Sequence, residues 1–141
     1  MTRAARGRGG KRAPAQQARF IGARAQAHAR YEELVARAMT AEDPVAALRS
    51  AAEDPALPPS LRRALRGADE DGARMSALLV ARLRFERLLR GSPEAEAWFD
   101  RDPAEFSEAF RRYHAEVPPT AFFPPGEARL FRGWLEAQPS R

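Results

Sequence analysis

The sequence predicts an all-α protein: an irregular bundle of about seven helices around a central helix at 72–90, behind a disordered basic N-terminal arm. Three observations predict this class. Apolar residues recur at three- and four-residue spacing in one segment after another, the period of a helix. No stretch alternates apolar and polar residues long enough to make a strand. A capping residue followed by proline recurs along the chain, at Asp43-Pro44, Asp54-Pro55, Ser92-Pro93 and Asp102-Pro103. An Asp or Ser in that place can accept from a free backbone N–H, and proline suits the first helical position.

At 141 residues the chain has the size of one domain, expected over 15–141 with the arm at 1–14. Such a domain buries roughly two-thirds of its unfolded surface, so it folds without a metal or a disulfide. There is no cysteine, which excludes a disulfide framework, a thiol nucleophile and a cysteine-based zinc site. No apolar run approaches the ~18 residues of a membrane span. No secretory apolar region follows Met1, and a cytoplasmic location is expected.

The first helix is expected from about 15 to 39, with Phe20, Ala27, Tyr31, Leu34, Val35 and Met39 at helical spacing. Its apolar stripe thickens only from Tyr31, so its first half should stand in water with Arg19, Arg24 and Arg30. Asp43-Pro44 opens a short helix through Val45 and Leu48. Asp54-Pro55 opens a proline-rich turn to Pro59, after which Ser60 is expected to cap a short helix carrying Leu61 and Leu65 and closed by Gly67. The central helix at 72–90 places Met75, Leu78, Leu79, Leu83, Phe85 and Leu89 on one broad face at roughly 100° per residue. Val80 and Leu88 point elsewhere. A helix apolar around so much of its girth is expected to be surrounded by others. Gly91 stops it. A short helix is expected from Pro93 to Asp100, with Trp98 and Phe99 inward, and a longer one from Pro103 to about Glu116, where Asp102 and Glu105 form a capping-box pattern. Four prolines predict an irregular crossing from Val117 to Gly126. A last helix from Gly126 to about Ala137 is expected to bury Leu130, Phe131, Trp134 and Leu135. Nine of the twelve aromatic residues lie at or after Trp98, so the C-terminal third should supply most of the bulky core.

The net charge of +5 is unevenly spread. Residues 1–30 carry eight cations and no acid, while the other 16 arginines face all 19 acids. A slightly acidic globule with a basic arm points to partners rather than to fold. The arm, with Arg3, Arg6, Arg8, Lys11 and Arg12, is the strongest functional signal, because such a segment can lie along phosphates or enter a minor groove. Arg6-Gly7-Arg8 resembles the centre of an AT-hook, in which proline follows; Gly9 stands there instead. Arg8-Gly9-Gly10 is a single RGG unit. The leading expectation is therefore a non-enzymatic binding protein that contacts nucleic acid, DNA before RNA, through Arg3, Arg6, Arg8, Lys11, Arg12, Arg19 and Arg24. The alternative is a helical adaptor or regulatory subunit that binds another protein through an apolar surface.

Other candidates carry less. A helix-turn-helix over 60–90 would present Asp69, Glu70 and Asp71 to phosphates, which repel them. Arg82 and Glu86, four apart within the expected apolar face, are expected to form a partly covered pair at a helix–helix seam. His28 and His114 have no metal-ligand spacing, and His114 is paired in sequence only with Glu108 and Glu116 as carboxylate neighbours. No phosphate loop, paired-histidine helix or nucleophile elbow is present, so no cofactor, metal or catalytic residue is expected. Phe122 and Phe123, inside the proline crossing, are expected to plug the core. Exposed instead, two adjacent aromatics on a stiff loop would mark a partner-binding surface.

Overall fold

The computed structural model describes residues 13–140, and among them are seven helices and no strand. In order these are α1 (Pro14–Thr40), α2 (Pro44–Ala51), α3 (Pro59–Arg66), α4 (Glu70–Gly91), α5 (Pro93–Arg101), α6 (Pro103–Glu116) and α7 (Pro124–Glu136). The all-α expectation and the order of elements hold.

Local chemistry sets the helix ends. The side chains of Asp43, Asp69, Ser92 and Asp102 each accept a backbone N–H three residues on, from Ala46, Gly72, Ala95 and Glu105, at 2.7–3.1 Å. Three expected starts shift. The central helix begins at Glu70 rather than 72, because Asp69 is its cap. α3 begins at Pro59 after Pro58, and Ser60 lies inside it rather than capping it. α7 begins at Pro124, two residues before Gly126. Proline tolerates a first helical turn, where its missing N–H has no partner to lose. Pro14 likewise opens α1 rather than closing the arm. Asp102 caps α6, but Glu105 does not complete a capping box; its carboxylate accepts from Trp98 Nε1 at 2.8 Å.

α4 packs against α1, α2, α5 and α7 and joins two apolar cores. The first core gathers Ala38, Leu48, Ala51, Ala52, Leu57, Leu65 and Ala73 from α1, α2, α3 and the start of α4. The second gathers Leu88, Ala95, Phe106, Ala109, Phe110, Tyr113, Phe131 and Trp134 from the end of α4 and from α5, α6 and α7. Phe85 meets Phe106 and Phe110 edge-on at 5.6 and 5.0 Å. The aromatic third thus wraps only the second half of the central helix. Leu135 stays at the edge, 37% exposed, because the inward side of α7 is taken by Glu127, Ala128, Phe131 and Trp134. Gly91 permits the close approach of α7, since a Cβ there would collide with the Pro124 carbonyl.

The central helix is turned differently from the expectation. Met75, Leu78, Leu79 and Leu83 are 59%, 66%, 52% and 51% exposed. Its inward side carries Ala73, Arg84 and Leu88 instead. Small residues let α1 and α2 approach closely along the first half of α4, and Arg84 holds the second half from within.

Candidate functional site

Of the basic residues singled out by the sequence, Arg3, Arg6, Arg8, Lys11 and Arg12 lie outside the described residues. Arg19 and Arg24 are exposed on the first half of α1, as expected. The described part of that half carries no acid before Glu32, and Phe20 and Ile21 are exposed beside the arginines. Arg30 does not join them. It donates to Asp54 at 2.8 Å and to Glu33 at 3.1 Å, tying α1 to the turn after α2. This guanidinium and the Ala56 N–H hold the Asp54 carboxyl below its ordinary pKa, the N–H contributing more.

Beyond Phe20 and Ile21, two further apolar surfaces face solvent among the described residues. The first is the stripe of Met75, Leu78, Leu79 and Leu83 along α4. Arg82 and Glu86 lie inside this stripe as an exposed pair, 3.1 Å apart, with side chains 77% and 41% exposed. The expectation of a partly covered pair at a helix–helix seam fails within the chain, because that face of the helix is outward. The second surface is the loop before α7, where Phe122 and Phe123 are 82% and 75% exposed. The expectation that these rings plug the core is overturned. The C-terminal core is filled instead by rings such as Tyr113, Phe131 and Trp134, whose centroids lie 5.1–5.8 Å apart. The two surfaces are separate. The proline crossing is tied to α4 through Arg84, which donates to the Val117 and Pro118 carbonyls, and Arg84 lies about 180° around the helix from Met75 at ~100° per residue.

Between them is a buried polar cluster that sequence reasoning missed. Arg84 and Glu127 are both fully buried and pair at 2.7 Å. Arg84 also donates to the Val117 carbonyl at 2.6 Å and the Pro118 carbonyl at 3.3 Å. Tyr113 donates its hydroxyl to the same Glu127 oxygen that accepts from Arg84. The Arg84 guanidinium also stands 4.4 Å from the centre of the Tyr113 ring. Burial and the hydrogen bond to Glu127 push the Tyr113 hydroxyl well above its usual pKa. His114 Nδ1 lies 3.4 Å from Arg84 Nη1, which can only donate, so the ring accepts there. Burial first, and the Arg84 charge second, push His114 down to about 4, and the imidazole is neutral at pH 7. The carboxylates expected near it are engaged elsewhere: Glu116 accepts from Trp134 Nε1 at 2.6 Å and Glu108 pairs with Arg111 at 2.9 Å. The cluster joins α4, α6, the proline crossing and α7 through all three guanidinium nitrogens of Arg84. A buried pair of this kind is weak evidence for net stability but fixes one arrangement of its elements. One signal pointed to it: Arg84 is the arginine of α4 that shares the side of Ala73, Val80 and Leu88.

Among the described residues no group of three or more His, Asp or Glu is placed to hold a metal ion, and no helix is long and apolar enough to cross a membrane. No protein-family model, curated protein or solved structure matches the chain.

Proposed function

We propose that the protein is a non-enzymatic interaction module that binds other polypeptides through apolar surfaces presented by its helical scaffold. One observation carries the reading: Phe122 and Phe123 stand side by side in water on a loop held by prolines and by Arg84. Contiguous exposed apolar side chains on a rigid support mark an interaction site more often than an ornament of the surface. Aromatic anchors with few rotamers lose little entropy on docking. A cytosolic setting fits the cysteine-free chain.

A photo-crosslinking residue in place of Phe122, with one at exposed Arg129 as control, tests this in cells. The expected outcome is a discrete polypeptide adduct at position 122 that is absent at position 129 and lost on Phe123→Ser. Identical adduct patterns at both positions would contradict it.

A second reading is kept for the N-terminal half of α1. Arg19 and Arg24 are exposed on a helical segment without acids, continuous with the cations at 3, 6, 8, 11 and 12. These would neutralise phosphates of a nucleic acid, DNA before RNA. About five phosphate contacts would give a log–log salt slope near −4 to −5 on duplex DNA. Deleting residues 1–12 should then abolish binding; unchanged binding would remove the reading.

A further inference from the structure

We propose that the outward face of α4 is the seam of a two-fold dimer, in which α4 packs antiparallel against α4 of a second copy of this chain. The inference rests on the interaction-module reading and names the occupant of one of its two surfaces. Met75, Leu79, Arg82 and Glu86 are spaced by four, three and four residues, the spacing of a helix–helix seam. Leu78 and Leu83 flank that line and are exposed.

Charge selects the second copy and its direction. α4 carries Glu70 and Asp71 in its first turn and Arg90 in its last. A two-fold axis through the middle of the helix, between Val80 and Ala81, sets Leu78 against Leu83 of the second copy and Leu79 against Arg82. Met75 then faces Glu86, and Asp71 faces Arg90 at both ends. Opposite charges meet at both ends, Leu78 and Leu83 pair nearest the axis, and the helix dipoles run antiparallel. A parallel pair would oppose Asp71 to Asp71 and Arg90 to Arg90. Arg82 donates to Glu86 of its own helix at 3.1 Å, which satisfies its charge and leaves its methylenes for the seam. The Asp71 side chain is 97% exposed, and its contact with Arg74 at 3.5 Å is of the weak surface kind. One helix face is at the small end of specific interfaces, for which roughly 800 Å² per partner is usual. The expected dimer is therefore weak, with a dissociation constant on the order of 10 µM.

Sedimentation equilibrium of the full chain over roughly 1–500 µM tests this, with circular dichroism to verify folding. The wild type should pass from monomer to dimer, and Leu78→Asp should remain monomeric. Asp71→Arg alone and Arg90→Asp alone should each weaken the dimer roughly fivefold, because like charges then meet at both ends. The double variant should recover most of the wild-type affinity, which a merely structural effect of either residue would not produce. Phe122→Ser with Phe123→Ser should leave the association unchanged. A wild type that stays monomeric throughout, or a double variant no better than the singles, overturns the dimer. A monomeric wild type that still gives the adduct at position 122 overturns the dimer alone and leaves the interaction-module reading standing.

Discussion

The two cores flanking α4 use the same device at different depths. In the N-terminal core, built of alanine and leucine, arginines satisfy the carbonyls of the connecting turns. Arg49 donates to the Leu65 and Ala68 carbonyls at 2.8 and 3.0 Å, and Arg62 to those of Asp54 and Leu57 at 3.1 and 3.0 Å. In the C-terminal core, built of aromatic rings, Arg84 does the same for Val117 and Pro118. Arg49 keeps 35% of its side chain in water, whereas Arg84 keeps none. Water can replace the first and cannot replace the second. Chemistry is shared, and burial decides what its loss costs.

The largest expected effect is therefore at Arg84. Arg84→Ala leaves the buried Glu127 carboxylate with only Arg87, 4.0 Å from its other oxygen, and should destabilise the fold by about 3–5 kcal/mol in urea unfolding. Adding Glu127→Gln to Arg84→Met removes the stranded charge while keeping an acceptor for Tyr113. That double variant should be more stable than Arg84→Ala, by about 1–3 kcal/mol. Equal losses in the two would show that the buried charge is not what matters.

An intermediate effect is expected from His114. Its folded pKa of about 4 lies below the ordinary 6.5. Between these values the unfolded chain binds the proton and the folded chain does not. Stability should therefore be full above about pH 6.5 and fall as the pH drops towards about 4. His114→Gln should flatten the part of the profile that this residue causes. A profile unchanged by the substitution would place the ring in water rather than against Arg84 and Phe110.

The smallest effect belongs to Arg49. Arg49→Ala should cost about 1 kcal/mol, because water can enter where the partly exposed arginine stood and bond the two carbonyls it releases. A loss as large as that at Arg84 would erase the contrast between the cores.

Seven helices were legible because each apolar segment kept a helical period and three carried a side-chain cap at the expected residue, Asp43, Ser92 and Asp102. Starts at Pro59 and Pro124 were not, since proline reads equally as the end of one element or the first turn of the next. The rotation of α4 was hidden for a different reason. Leucines weigh most in any apolar pattern, so the face of Leu78, Leu79 and Leu83 read as the core. Close packing of α1 and α2 required the small side of the helix instead. Arg84 looked like its neighbour Arg82 because its partner, Glu127, lies 43 residues away and the pair is visible only in three dimensions. Phe122 and Phe123 misled differently, since apolar type alone does not separate a core ring from one that a proline-rich loop holds in water.

The central claim is that α4 turns Leu79 outward and Leu88 inward. Because the chain has no cysteine, single variants Leu79→Cys and Leu88→Cys can be compared by thiol labelling of the native protein at about 1 µM, below the expected dimer range. The account predicts that the thiol at position 79 reacts as fast as in the unfolded chain within about tenfold, while that at position 88 reacts only through unfolding. Protection at position 79 together with rapid labelling at position 88 would contradict it.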